Sequence, residues 1–141
     1  MEKLFQLLES DHERITELLS EILTETDADL LDDLFEQFLE ELERHMEREE
    51  EHLYPDLEKN EATMTLVQEA YEEHDRARQL VDDLSELPPG NSRWRTLLQE
   101  LNEQVGHHIH FEEHRIFPRL HSLFTPERLD EVFLRMTARK S

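Results

Sequence analysis

Apolar residues return every three to four positions along four long stretches of this chain. That is the period of a helix with one buried face. The first stretch runs from about residue 2 to 24, with Leu4, Leu8, Ile15, Leu19 and Ile22 on the apolar face. The second runs from about 29 to 57 and carries Leu31, Leu34, Phe38, Leu42 and Leu53. The third, about 62 to 86, has Val67, Ala70, Ala77, Val81 and Leu84. The fourth, about 93 to 121, has Trp94, Leu98, Leu101, Val105, Ile116 and Leu120. A fifth, short segment at about 127 to 138 carries Leu129, Val132, Phe133 and Met136. Between them the chain changes chemistry. Asp27 or Asp29 is placed to cap the second helix, Ser92 the fourth and Thr125, ahead of Pro126, the fifth, while Pro88-Pro89-Gly90 interrupts the pattern most clearly. Short links between long helices predict an all-α fold, an antiparallel up-down four-helix bundle with a short fifth C-terminal helix.

The two halves of the chain repeat. Asp11-His12-Glu13-Arg14 matches Glu73-His74-Asp75-Arg76 at an offset of 62. At an offset of 63, His45-Met46-Glu47-Arg48-Glu49-Glu50 matches His108-Ile109-His110-Phe111-Glu112-Glu113, and Leu53-Tyr54-Pro55 matches Ile116-Phe117-Pro118. Each half, about 1–57 and 62–121, is a helical hairpin. One hairpin cannot bury its own apolar stripe, so residues 1–141 are expected to form a single domain of two pseudo-repeated hairpins.

The apolar stripes contain polar residues at their centres. His12 lies on the stripe of the first stretch, His45 and Glu49 on the second, His74 on the third, and His108 and Glu112 on the fourth. A spacing of four stacks two side chains on one helix face, so each His-x-x-x-Glu can offer two ligands from one helix. Two glutamates and four histidines in an apolar core would be costly without partners. Divalent cations remove that cost, and imidazole with carboxylate suits non-haem iron, zinc or manganese. Two such pairs with two further histidines suffice for two metals, bridged by a carboxylate from each half. Tyr71, one turn before His74, is open to three roles: a hydrogen-bond partner behind the ligands, a weak ligand, or core packing. His52, His107, His110, His114 and His121 fall on the flanks.

Composition narrows the functions. The formal net charge is −21, which repels nucleic acid and anionic lipid. There is no cysteine for a disulfide, a thiolate site or a thiol nucleophile, and two glycines are too few for a phosphate-cradling loop. No apolar run approaches the ~20 residues of a membrane span, and no secretory segment is visible, so a cytoplasmic location is expected.

The set His12, His45-x-x-x-Glu49, His74 and His108-x-x-x-Glu112, with Tyr-Pro or Phe-Pro after each pair, resembles the hemerythrin-like, or HHE cation-binding, domain family from residue 1 to about 121. The resemblance implies a non-haem di-iron centre, bridged also by an oxo or hydroxo group. It implies that His12 and His45 bind one iron, that His74 and His108 bind the other, and that Glu49 and Glu112 bridge. Hemerythrin itself spaces its last carboxylate five residues after the histidine, which would favour Glu113, whereas the internal repeat favours Glu112. Glu50 and Glu113 are also candidates for outer acceptors. Oxygen carriers place a second histidine one turn after that of the third helix, where this chain has Arg78. The resemblance therefore implies reaction with, or sensing of, O2, NO or peroxide rather than reversible oxygen carriage. Iron storage or donation, and a metal-stabilised regulatory module read by a protein partner, are the competing expectations.

Overall fold

Residues 2–138 are described in a computed structural model of the chain. In chain order the helices are α1 (Lys3–Thr24), α2 (Ala28–His52), α3 (Tyr54–Glu58), α4 (Met64–Ser85) and α5 (Ser92–Phe111). A π-helical turn (Glu112–Ile116) leads into α6 (Phe117–Leu123), and α7 (Pro126–Thr137) ends the described chain. No strand occurs among the described residues. Helix α1 packs against α2 and α4 against α5, and the two hairpins meet along α1–α5 and α2–α4. These are the four sides of an antiparallel bundle.

Local chemistry sets the helix ends. The Asp27 carboxylate accepts from the backbone N–H groups of Asp29 and Leu30 and caps α2. The cap of α5 is Asn91 rather than Ser92, its side chain accepting from the Trp94 N–H at 2.8 Å. The turn comes one residue early because Gly90 adopts φ +89°, a left-handed conformation that returns the backbone to an extended Asn91. Thr125 caps α7 through the Arg128 N–H, with Pro126 in the first helical position.

Two expected continuous helices are interrupted, each just past a glutamate of interest. The second stretch breaks at Leu53 (φ −114°), and α3 begins beside Pro55. The fourth runs instead through the π turn before Pro118, with the Phe117 N–H reaching back to the Glu112 carbonyl. Proline explains both. It has no N–H to donate, and its ring collides with the carbonyl four residues earlier. One half answers with a break and the other with a wide turn.

The core has two apolar clusters. One gathers Leu4, Leu8, Leu53, Tyr54, Val67 and Ile116, together with Leu129, Val132 and Met136 of α7. The other gathers Ile15, Ile22, Phe38, Leu84, Trp94 and Leu101. Between them lies a layer of buried polar side chains: His12, His45, Glu49, His74, His108 and Glu112. Helix α7 closes the end of the first cluster, and its Arg128 and Arg135 both donate to Asp56 of α3. Among the described residues no helix is long and apolar enough to cross a membrane.

Candidate metal centre

The polar layer is built from helix periodicity. On α2, His45 and Glu49 are one turn apart, and their side chains meet with His45 Nε2 3.2 Å from Glu49 Oε1. His108 Nε2 and Glu112 Oε2, across the junction of α5 with the π turn, lie 3.4 Å apart. The histidines of α1 and α4 close the layer across the bundle. His12 Nε2 is 3.0 Å from Glu112 Oε1, and His74 Nε2 is 3.2 Å from Glu49 Oε1. His74 and His108 bring their Nε2 atoms within 3.1 Å of each other. All six side chains are buried, with Glu49 and Glu112 fully so.

Each histidine is held from behind. Nδ1 of His12 donates to Glu113 at 2.7 Å, that of His45 to Asp11 at 2.9 Å, that of His74 to Glu50 at 2.7 Å and that of His108 to Glu73 at 2.9 Å. A carboxylate can only accept, so Nδ1 carries a proton in each ring, and Nε2 is the nitrogen left to face the centre, where a cation would displace any second proton. The pattern obeys the internal repeat. The residue after each inner glutamate holds one histidine of the opposite hairpin, and the residue before each early histidine holds the late histidine of its own hairpin.

Electrostatics make the layer a place for positive charge. Burial opposes the imidazolium form of His12, but the bond to Glu112 and its charge outweigh this and raise the pKa. Burial likewise opposes charge on His45 and His108, and the surrounding carboxylates carry both well above the usual histidine value. His74 is raised against burial by Glu49 and Glu50. Burial and the neighbouring Glu112 push Glu49 up, yet the histidines hold it at about 2. Glu112 is also held down, well below the ordinary carboxylate range, against burial. Two inner carboxylates thus stay ionised in an apolar core and demand counter-charge.

The donor set fits a cation. Nitrogen and oxygen atoms of His12, His45, Glu49 and Glu112 all lie within 4.8 Å of one another, and so do those of Glu49, His74 and His108. His45 Nε2 and Glu49 Oε2 are fully buried and make no hydrogen bond, a costly state that a metal would relieve. These are borderline nitrogen and hard oxygen donors, the mix that divalent iron, manganese and zinc accept.

All six inner residues expected from the sequence come together in this layer. Glu50 and Glu113 stay one step outside, with side chains 21% and 35% exposed. Tyr71 also stands further out. Burial and a bond to Glu58 push its hydroxyl to about 12, and its ring packs edge-on against Tyr54 with centroids 5.2 Å apart. The tyrosine that reaches the centre is Tyr54, which donates to Glu112 at 2.9 Å or Glu49 at 3.2 Å and lies 3.4 Å from His74 Nε2. Its signal was the unlike pair of the repeat, Tyr-Pro in one half and Phe-Pro in the other. The equivalent Phe117 has no hydroxyl and packs on Phe5 and on His12, at 5.1 and 6.1 Å between ring centres. Asp11 and Glu73 were visible as repeat positions, but nothing in the spacing tied them to His45 and His108. Tyr54→Phe is expected to keep the metal and to lower stability by about 1.5–3 kcal/mol, the cost of one hydrogen bond to a charged group. Denaturant midpoints on metal-loaded protein check this, and loss of metal by Tyr54→Phe would instead make the hydroxyl indispensable to the donor set.

The sequence profile of the hemerythrin HHE cation-binding domain matches residues 3–120, from the start of α1 to Leu120 of α6. No curated protein and no solved structure matches the chain.

Proposed function

We propose that this chain, which belongs to the hemerythrin HHE cation-binding family, holds a pair of iron ions and reacts with or senses a small ligand, namely O2, NO or peroxide. The observation that carries the proposal is Glu49, which belongs to both donor groups. With Glu112 it lies between two pairs of histidines, His12 with His45 and His74 with His108. Zinc and manganese are accepted by the same atoms, so iron rests on the family and on the donor chemistry together. When bound, the metal pair supplies electrons to the small ligand or takes them from it. The chain's residues do the rest. Asp11, Glu50, Glu73 and Glu113 hold the imidazoles with Nε2 inward, and outer partners of this kind set ligand orientation and basicity. Tyr54 offers an O–H to the inner carboxylates, and the two apolar clusters keep water from the layer above and below.

Oxygen chemistry should be a reaction, not carriage. At the position where carriers have a further histidine, Arg78 is turned to Glu50 and Glu43 in ion pairs of 2.8 and 3.1 Å. It adds no metal donor, so coordination stays open to solvent or peroxide. Reduced, iron-loaded protein exposed to pulses of oxygen and then to vacuum is expected to lose its reduced spectrum and not regain it. Repeated full recovery of that spectrum would establish carriage, and absence of iron from protein purified from its native host would remove the basis of the reading.

A further inference from the structure

We infer that the cation enters and leaves the centre through the groove between α1 and α5 that ends on His12, while the matching route between α2 and α4 is shut by Arg78. The inference rests on the proposed metal site and adds the path to it.

The two routes are equivalent in the repeat but not in the fold. The α1–α5 groove has a volume of about 520 Å³, and Glu9, His12, Glu13, Thr16, Glu17 and Glu113 line it. His12 is one of the six inner side chains, so this groove ends at the edge of the metal layer, on His12 and the Glu113 that holds it. The recess between α2 and α4, about 250 Å³, begins at Arg78 and lies a turn further from the polar layer, lined by Leu42, Glu43, Met46 and Asp82. It touches neither His74 nor Glu50, the counterparts of His12 and Glu113.

The difference lies in two residues. Arg78 donates to both oxygens of Glu50, at 2.8 and 3.1 Å, and to Glu43 at 3.1 Å. The guanidinium therefore bridges α4 to two turns of α2 and covers the carboxylate that holds His74. In the repeat register that pairs His12 with His74 and Glu50 with Glu113, Thr16 stands in the place of Arg78 and Gly106 in the place of Glu43. Thr16 is too short to span to Glu113, and Gly106 has no side chain to anchor anything. The clamp cannot form, and Glu113 is the more exposed of the two outer glutamates. Charge favours the same direction. A cation nearing α2–α4 meets Glu43 and Asp82 offset by Arg78, whereas one nearing α1–α5 meets Glu9, Glu13, Glu17 and Glu113 with no lysine or arginine among the lining residues, which raises its local concentration.

The test transplants the clamp. In Thr16→Arg/Gly106→Glu the new pair can reach Glu113 as Arg78 and Glu43 reach Glu50, and a side chain at residue 106 has room because a Cβ there meets nothing within 4 Å. Anaerobic ferrous ion is the probe, with uptake by apoprotein and release to a coloured ferrous chelator both timed. Both rates are expected to fall by about tenfold, the effect of raising a barrier by about 1.4 kcal/mol, at unchanged equilibrium occupancy. Thr16→Trp, which fills the groove without an ion pair, should act the same way. The converse variant Glu43→Gly/Arg78→Thr should speed both. A weakened site would slow uptake while hastening release, and that result, or unchanged rates in both closing variants, overturns the route. Failure of the wild-type protein to take up ferrous ion would instead strike the proposed metal site.

Discussion

Glu112→Ala is expected to lose most of the bound metal, and Glu113→Ala to keep it with weakened affinity. Glu112 is fully buried, faces three of the four histidines at 3.0 to 3.7 Å, and accepts from Tyr54. Removing it takes away a charged donor and leaves four imidazoles that only Glu49 can balance from within. Glu113 touches the centre only through the far nitrogen of His12. Partners of that kind cost about 10- to 100-fold in metal affinity when removed, so an inner donor should cost more. The repeat predicts the same order for Glu49→Ala over Glu50→Ala. A residue five after the histidine is turned about 100° further round an ideal helix than the residue four after it. Metal per chain after dialysis against a weak chelator checks the order, and greater loss from Glu113→Ala would show that the five-residue spacing supplies the ligand.

Stripping the metal should destabilise the fold by several kcal/mol. A cation bound only by the folded chain adds about 4 kcal/mol when its free concentration is a thousandfold above the dissociation constant. Here the removed charge also leaves ionised Glu49 and Glu112 among apolar neighbours. Protons on the histidines stand in for the metal, which is why their folded pKa values are raised. The sign follows from the direction. A histidine raised on folding stabilises the apoprotein fully below its unfolded value of about 6.5 and loses that contribution as pH rises through the raised value. Metal must displace those protons, so its binding strengthens over the same interval. The gap in melting temperature between loaded and chelated protein should therefore widen from pH 6 to pH 8. A melting temperature unmoved by confirmed metal loss at either pH would mean that the two apolar clusters hold the bundle alone.

The faces of the helices were legible without coordinates. Apolar period placed His12, His45, Glu49, His74, His108 and Glu112 inward because every third or fourth residue of one helix shares an azimuth, and all six are buried. The repeat announced two hairpins, and the profile over residues 3–120 agrees with the family those motifs resemble. Periodicity carries an angle on one helix and nothing about the next helix. Which carboxylate meets which Nδ1 depends on the rotation and axial offset between helices, so the pairing of His12 with Glu113 and of His74 with Glu50 appeared only in the packed bundle. The same holds for Tyr54 and Tyr71. Both follow helix spacing, but the break at Leu53 turns Tyr54 onto the inner carboxylates and leaves Tyr71 behind it. Pro55 and Pro118 signalled trouble for a helix without saying whether it would break or widen, since that is settled by what each turn packs against. Thr16 and Arg78 occupy one position of the repeat, and no local rule distinguishes an exposed threonine from an open door. The difference arises because Arg78 finds Glu43 and Glu50 across the interface, whereas Thr16 shares its groove with Glu113 and is too short to make such a bridge.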